Sequence, residues 1–150
     1  MANSNERQPI VAVDPGREKC GLAVVDGSQT LFQEIVARSS IVERLRAVLP
    51  PNGLIVVGDG TGSKAFIREL SANLPDIENR IVTVDEKLSS VEARSLYWRQ
   101  NPPKGWRRLL PVSLQTPPVP IDDYVAVILA KRYQDGKKRQ SEKDLEYGRF

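Results

Sequence analysis

Six acidic residues fall where a folded chain would display chemistry: Asp14, Asp59, Asp85, Glu86, Asp122 and Asp123. The sequence contains no histidine and a single cysteine, Cys20. Those absences exclude the common zinc sites, histidine acid–base chemistry, Ser-His-Asp triads and an internal disulfide. What remains is oxygen chemistry. Carboxylates a few Å apart repel and raise one another's pKa, so a cluster of them calls for cations to neutralise it. Hard oxygen donors favour Mg²⁺ or Mn²⁺. Two such ions roughly 3.5–4 Å apart can activate water and stabilise the leaving oxygen of a phosphodiester. Each acid also has a structural alternative. Asp14-Pro15-Gly16 suits a turn, Asp59 lies between glycines in Gly58-Asp59-Gly60-Thr61-Gly62, and Asp122 or Asp123 suits a helix N-cap.

The elements that would carry these acids follow from the hydrophobic pattern. Pro9–Asp14 and Gly21–Val25 are short apolar runs separated by a Pro-Gly turn, and Asp26-Gly27-Ser28 joins the second to Thr30–Val36. The chain therefore opens as a three-stranded antiparallel meander. Ser40-Ile41-Val42-Glu43 has capping-box spacing ahead of a helix that Pro50-Pro51 ends. Leu54–Val57 reads as a strand buried on both faces. Ser63 can cap a helix that ends near Pro75, Ile81–Val84 is a fifth strand, and Ser89-Ser90-Val91-Glu92 offers a second capping box before a helix through Trp98. Asn101–Pro120 holds six prolines and no period, which predicts a long loop. A last helix starts at Asp122 or Asp123 and carries Val125, Ile128, Leu129 and Tyr133. The order predicts an α/β fold with a mixed sheet flanked by helices. If the first, fourth and fifth strands run parallel, their acids share one rim of that sheet.

At 150 residues the chain fits one domain, residues 1–136, followed from 137 to 150 by a charged segment expected to be a flexible tail. No stretch approaches the ~20 apolar residues of a membrane span, and the first residues lack an apolar signal core, so a cytoplasmic protein without a membrane partner is expected. The net charge is only +3, but its distribution is uneven. From Arg94 to Ile121 there are five basic residues, Arg94, Arg99, Lys104, Arg107 and Arg108, and no acid. A basic, proline-rich segment suits a phosphate backbone, with a solvated loop as the plainer reading. Trp98 and Trp106 are available for base stacking, and packing is the alternative for each.

Three segments resemble one family. Val11-Ala-Val-Asp-Pro-Gly-Arg-Glu-Lys-Cys-Gly-Leu-Ala-Val is similar to the opening Asp-x-Gly strand–turn–strand of the YqgF family, which is related to the RuvC-type resolvases. Val84-Asp-Glu-Lys-Leu-Ser-Ser-Val-Glu-Ala-Arg is similar to its D-E-R-[LF]-[ST]-[ST]-x-x-A segment, the most specific of the three. Ile121-Asp-Asp-Tyr-Val-Ala-Val-Ile-Leu-Ala resembles its closing V-D-x-x-A-A helix. The likeness runs over residues 9–135, in order. It implies a ribonuclease H-like fold of five strands, three antiparallel and then two parallel, with the first strand between the second and the fourth. It also implies a nuclease whose catalytic, metal-binding acids are Asp14, Glu86 and Asp122, holding Mg²⁺ or Mn²⁺. Members are described as Holliday junction resolvases or as nucleases maturing the 5′ end of 16S rRNA.

Two positions depart from the pattern. Asp59 stands where the family has Gly-x-Pro after the fourth strand, which makes it, with Asp123, an additional candidate ligand. Lys87 replaces an arginine and loses its bidentate fork. Arg17, Lys19, Lys87 and the five basic residues of 94–121 are the candidate contacts to nucleic acid, either structured RNA or branched DNA. Junction resolution calls for two active sites and hence a homodimer, whereas a monomer goes with RNA. A non-catalytic nucleic-acid-binding module of the same fold is a competing reading. An actin-like ATP-binding protein is another, but the chain is short for the two lobes of such proteins.

Overall fold

A computed structural model describes residues 8–148. Five strands, β1 (Ile10–Pro15), β2 (Lys19–Asp26), β3 (Gln29–Ala37), β4 (Ile55–Gly58) and β5 (Ile81–Val84), form one sheet in the order β3-β2-β1-β4-β5. β1 and β3 each run antiparallel to β2, and β4 is parallel to both β1 and β5. The fold is thus α/β with three antiparallel strands followed by two parallel ones, and β1 lies at the centre between β2 and β4. This is the ribonuclease H-like arrangement.

Alternation along the central strands divides the core into two layers. Val11, Val13, Leu22, Val24 and Val57 point to one face, where they meet Ile41 and Leu45 of α1 (Ile41–Val48) and Phe66 and Leu70 of α2 (Ser63–Asn73). Ala12, Ala23, Val25 and Val56 point to the other, under α3 (Ser89–Gln100) and α4 (Asp122–Glu146). Alanines on the sheet and Ala126 and Ala130 on α4 let that helix lie close to the strands.

Arg38 ties the first layer to the turn after β1. It donates to the carbonyl of Gly16 at 2.9 Å and to Glu69 of α2 at 2.8 Å, and its guanidinium lies 4.8 Å from the centre of the Phe66 ring. Arg38→Ala is expected to lower stability by about 1–3 kcal/mol, since charged hydrogen bonds and the stacked ring are lost together. A urea titration should show the midpoint falling with an unchanged slope.

Several local expectations are corrected. None of the four α-helices uses a side-chain N-cap: neither Ser40 nor Ser63 caps, and Ser89 is the first residue of α3 rather than its cap. Leu88 precedes α3 in the left-handed region, at φ 61°, where a β-carbon costs about 1–2 kcal/mol. Residues 101–120 form the expected long connection, organised by 3-10 turns at Gly105–Leu109 and Val112–Leu114. α4 runs through Gly136 into the charged segment, as far as Glu146. One glycine costs a helix only about 1 kcal/mol, and Gln140 donating to Asp144 supports the far side at i,i+4 spacing. Among the described residues no helix is long and apolar enough to cross a membrane.

Candidate active site

Asp14 lies on the face of the sheet covered by α4, one pleat beyond Ala12. Its partner across β2 is Gly21, and on the other side Val13 is in register with Val57, which puts Gly58 next to Asp14. The central carboxylate is therefore flanked in the sheet by two glycines. Both make room for another acid. The backbone of Asp122 rests directly on Gly21, so that a β-carbon there would overlap its carbonyl. The Glu86 carboxylate lies over Gly58, with Oε2 at 2.9 Å from where a β-carbon would be, and it would overlap a β-carbon on Gly60. The glycines bracketing Asp59 thus form a cradle for Glu86.

Strand ends and one helix start bring Asp14, Glu86 and Asp122 together. The consequence is electrostatic. Burial, then the charge of Asp122, then that of Glu86, push the Asp14 carboxyl from 3.8 up to about 6. Positive charge offsets such repulsion, and one cation is nearby: Lys19 places its ammonium 3.4 Å from Asp122 Oδ2. Asp122 makes no capping hydrogen bond, so capping does not account for its position.

The remaining acids are turned to other work. Asp59 accepts the Glu86 backbone N–H at 3.1 Å and donates its own N–H to Val84 at 3.0 Å, pinning the loop that carries Glu86. Asp85 accepts the Lys87 N–H through its side chain, while its carbonyl receives Arg132 of α4 at 2.7 Å. Arg132 also holds Glu92 of α3 at 2.9 Å, so one arginine links the Glu86 loop to the helix that starts at Asp122. Asp123 accepts from Gln33 of β3 at 2.9 Å, and its Oδ1 is buried without a hydrogen-bond partner among the described residues.

An all-carboxylate donor set with glycine cradles suits a hard divalent cation in its chemistry. In geometry the set is open: among the described residues no three Asp, Glu or Cys side chains are arranged to enclose an ion. Asp14, Glu86 and Asp122 are the ones that would hold it.

Arg17, in the β1–β2 turn, lines an open hollow of about 1000 Å³ between that turn and the start of α2. A second hollow, about 710 Å³, lies at the opposite end of the sheet by Ile10, Val25 and Leu54, away from Asp14. Lys87, Arg94, Arg99, Lys104, Arg107 and Arg108 are exposed. Trp98 does not stack on solvent-side ligands as one sequence reading had it: it is buried, edge-on to Tyr97 at 5.1 Å. Trp106 is 68% exposed. The sequence reading missed Gly21, Gly58 and Gly60 as site residues. Spacing beside acids was their only signal, and a turn explains it as well.

No protein-family model matches this chain, and no curated protein matches it.

Proposed function

We propose that this protein is a divalent-metal-dependent nuclease of the YqgF type. The convergence of Glu86 and Asp122 on Asp14, across two glycines that admit them, carries this reading. Three carboxylates from distant parts of the chain, near enough for two of them to raise the pKa of the third, are costly for a fold and useful to an enzyme that neutralises them with Mg²⁺ or Mn²⁺. When bound, such ions supply positive charge against the phosphoryl oxygens and acidify the attacking water. The protein's own part is to hold Asp14 on a central strand, to set Glu86 by the Asp59 and Arg132 hydrogen bonds, and to place Asp122 at the start of α4. Lys19 lies beside Asp122 as a contact for the substrate's phosphates, and Arg17, in the turn between β1 and β2, lines the neighbouring hollow as a second.

The substrate in this reading is structured RNA, with maturation of the 16S rRNA 5′ end in the cytoplasm as the role the family resemblance suggests. Branched DNA is the alternative, and it requires a homodimer. Incubated with Mg²⁺ or Mn²⁺, the wild-type protein is expected to cleave structured RNA or four-way DNA junctions. Asp14→Asn and Glu86→Gln should each lose at least about 100-fold in rate, the scale of several kcal/mol of metal-borne stabilisation. Cleavage by Asp14→Asn at the wild-type rate would refute the assignment.

A further inference from the structure

Between α3 and α4 the chain forms an arm unlike the rest of the surface. Trp106, Leu109 and Leu114 are 68%, 82% and 77% exposed. Among them stand Lys104, Arg107 and Arg108, and no acid occurs from Ala93 to Ile121. Among the described residues none of these three cations is in an ion pair. Large apolar side chains left in water and interleaved with free cations mark a binding surface rather than a solvated loop.

The arm is also braced. Gln115 donates to the carbonyls of Arg107 at 2.7 Å and Leu110 at 3.1 Å, closing the two 3-10 turns on each other. The Arg107 guanidinium sits 5.8 Å from the centre of the Trp106 ring. Both roots reach the first turn of α4: Asn101 donates to the Tyr124 hydroxyl at 3.2 Å, and the far end runs through Ile121 into Asp122. A stiffened surface loses less entropy on binding, and this one springs from the residue that borders the acidic site.

We propose that the arm recognises unpaired, unstacked bases beside a duplex, with Trp106 stacking on a base, Leu109 and Leu114 packing against opened base faces, and Lys104, Arg107 and Arg108 on the flanking phosphates. Charge complementarity selects the partner: a surface with free cations and no acid fits a polyanion, and unpaired bases are what gives a polyanion accessible apolar faces. A fully paired duplex offers the cations its phosphates but gives the three apolar side chains nothing to cover them. The inference rests on the nuclease reading and names its substrate class, a strand opening next to the scissile phosphate, in RNA or DNA.

Binding can be separated from cleavage by using Asp14→Asn protein in EDTA. The probes are a labelled RNA duplex interrupted by an unpaired internal loop, the same duplex fully paired, and the DNA versions of both. The interrupted duplexes are expected to bind roughly 10-fold tighter or more than the paired ones. Adding Trp106→Ala should weaken binding to the interrupted duplex by about 5- to 100-fold and change binding to the paired one by no more than about 2-fold. Trp106→Phe should restore most of the preference. Emission should be quenched by the interrupted duplex through Trp106 alone, since buried Trp98 is left as an unresponsive reference in Trp106→Phe.

Equal affinity for both probes, or equal weakening of both by Trp106→Ala, would overturn the proposal. So would sedimentation showing a dimer that Leu109→Asp and Leu114→Asp dissociate, because the arm would then be a protein interface. Selective binding without any wild-type cleavage would refute the nuclease reading and leave the arm's role intact. Cleavage without selective binding would do the reverse.

Discussion

Asp14→Asn is expected to unfold at a higher temperature than the wild-type protein at about pH 8 in EDTA, although it should be inactive. The sign follows from protonation. The Asp14 carboxyl is at about 6 in the folded chain against an ordinary 3.8. Between those values the folded state keeps a proton that the unfolded state has released, so stability falls as pH rises through that interval and stays reduced above it. Below about pH 4 both states are protonated and the two proteins should differ little. The full shift corresponds to roughly 3 kcal/mol. The carboxyl is only partly buried, so solvent screening reduces this to about 1–2 kcal/mol. For a chain of this size that is a rise of about 3–6 °C in Tm.

The cation completes the experiment. Adding Mg²⁺ or Mn²⁺ at about pH 8 should raise the wild-type Tm by mass action and leave Asp14→Asn nearly unmoved. A wild-type Tm indifferent to both ions, or an Asn variant less stable than wild type in EDTA, would show that the acids are not a site held under repulsion. Thermal unfolding with and without the ions, across a pH series, reads both outcomes without any assumption about the substrate.

Gly21→Ala is expected to be the most damaging single-methyl change in the protein. The added carbon meets the backbone of Asp122 and Asp123, not the end of a flexible side chain. Relief requires α4 to lift from the sheet at its first turn, where Asp122 sits, or β2 to leave its register with Asp14. Overpacking of this kind costs about 1–3 kcal/mol, and the upper end is expected because only backbone can yield. The corresponding fall in Tm is about 6–12 °C. Cleavage should drop with it, even at temperatures where the variant is fully folded. Gly136→Ala is the control: its β-carbon has nothing within 4 Å, and it lies inside α4, so it should stabilise by up to about 1 kcal/mol. Wild-type stability in Gly21→Ala would mean that α4 does not seat on Gly21 as described.

The sequence by itself determined the order of the elements and the chemistry open to them. Alternating and continuous apolar runs located all five strands, because the period of burial is a local property of the chain. Absence of histidine and the single cysteine left carboxylate oxygen as the material for a site. Local signals also misled where the competing energies were small. Ser40 and Ser89 have capping spacing and do not cap.

Only the tertiary structure decided which acids meet. Asp59, Asp85 and Glu86 all lie at strand ends, yet Glu86 alone turns over Gly58 and Gly60, while Asp59 and Asp85 hold its loop in place. Asp122 and Asp123 are adjacent, yet the first pairs with Lys19 and is held near Asp14 while the second bonds Gln33. These choices depend on strand register and on how deeply α4 seats on the sheet. Both are set by packing between segments about a hundred residues apart, Gly21 against Asp122 above all. Periodicity states which side of its own element a residue occupies, and it carries no information about what a distant element will place there.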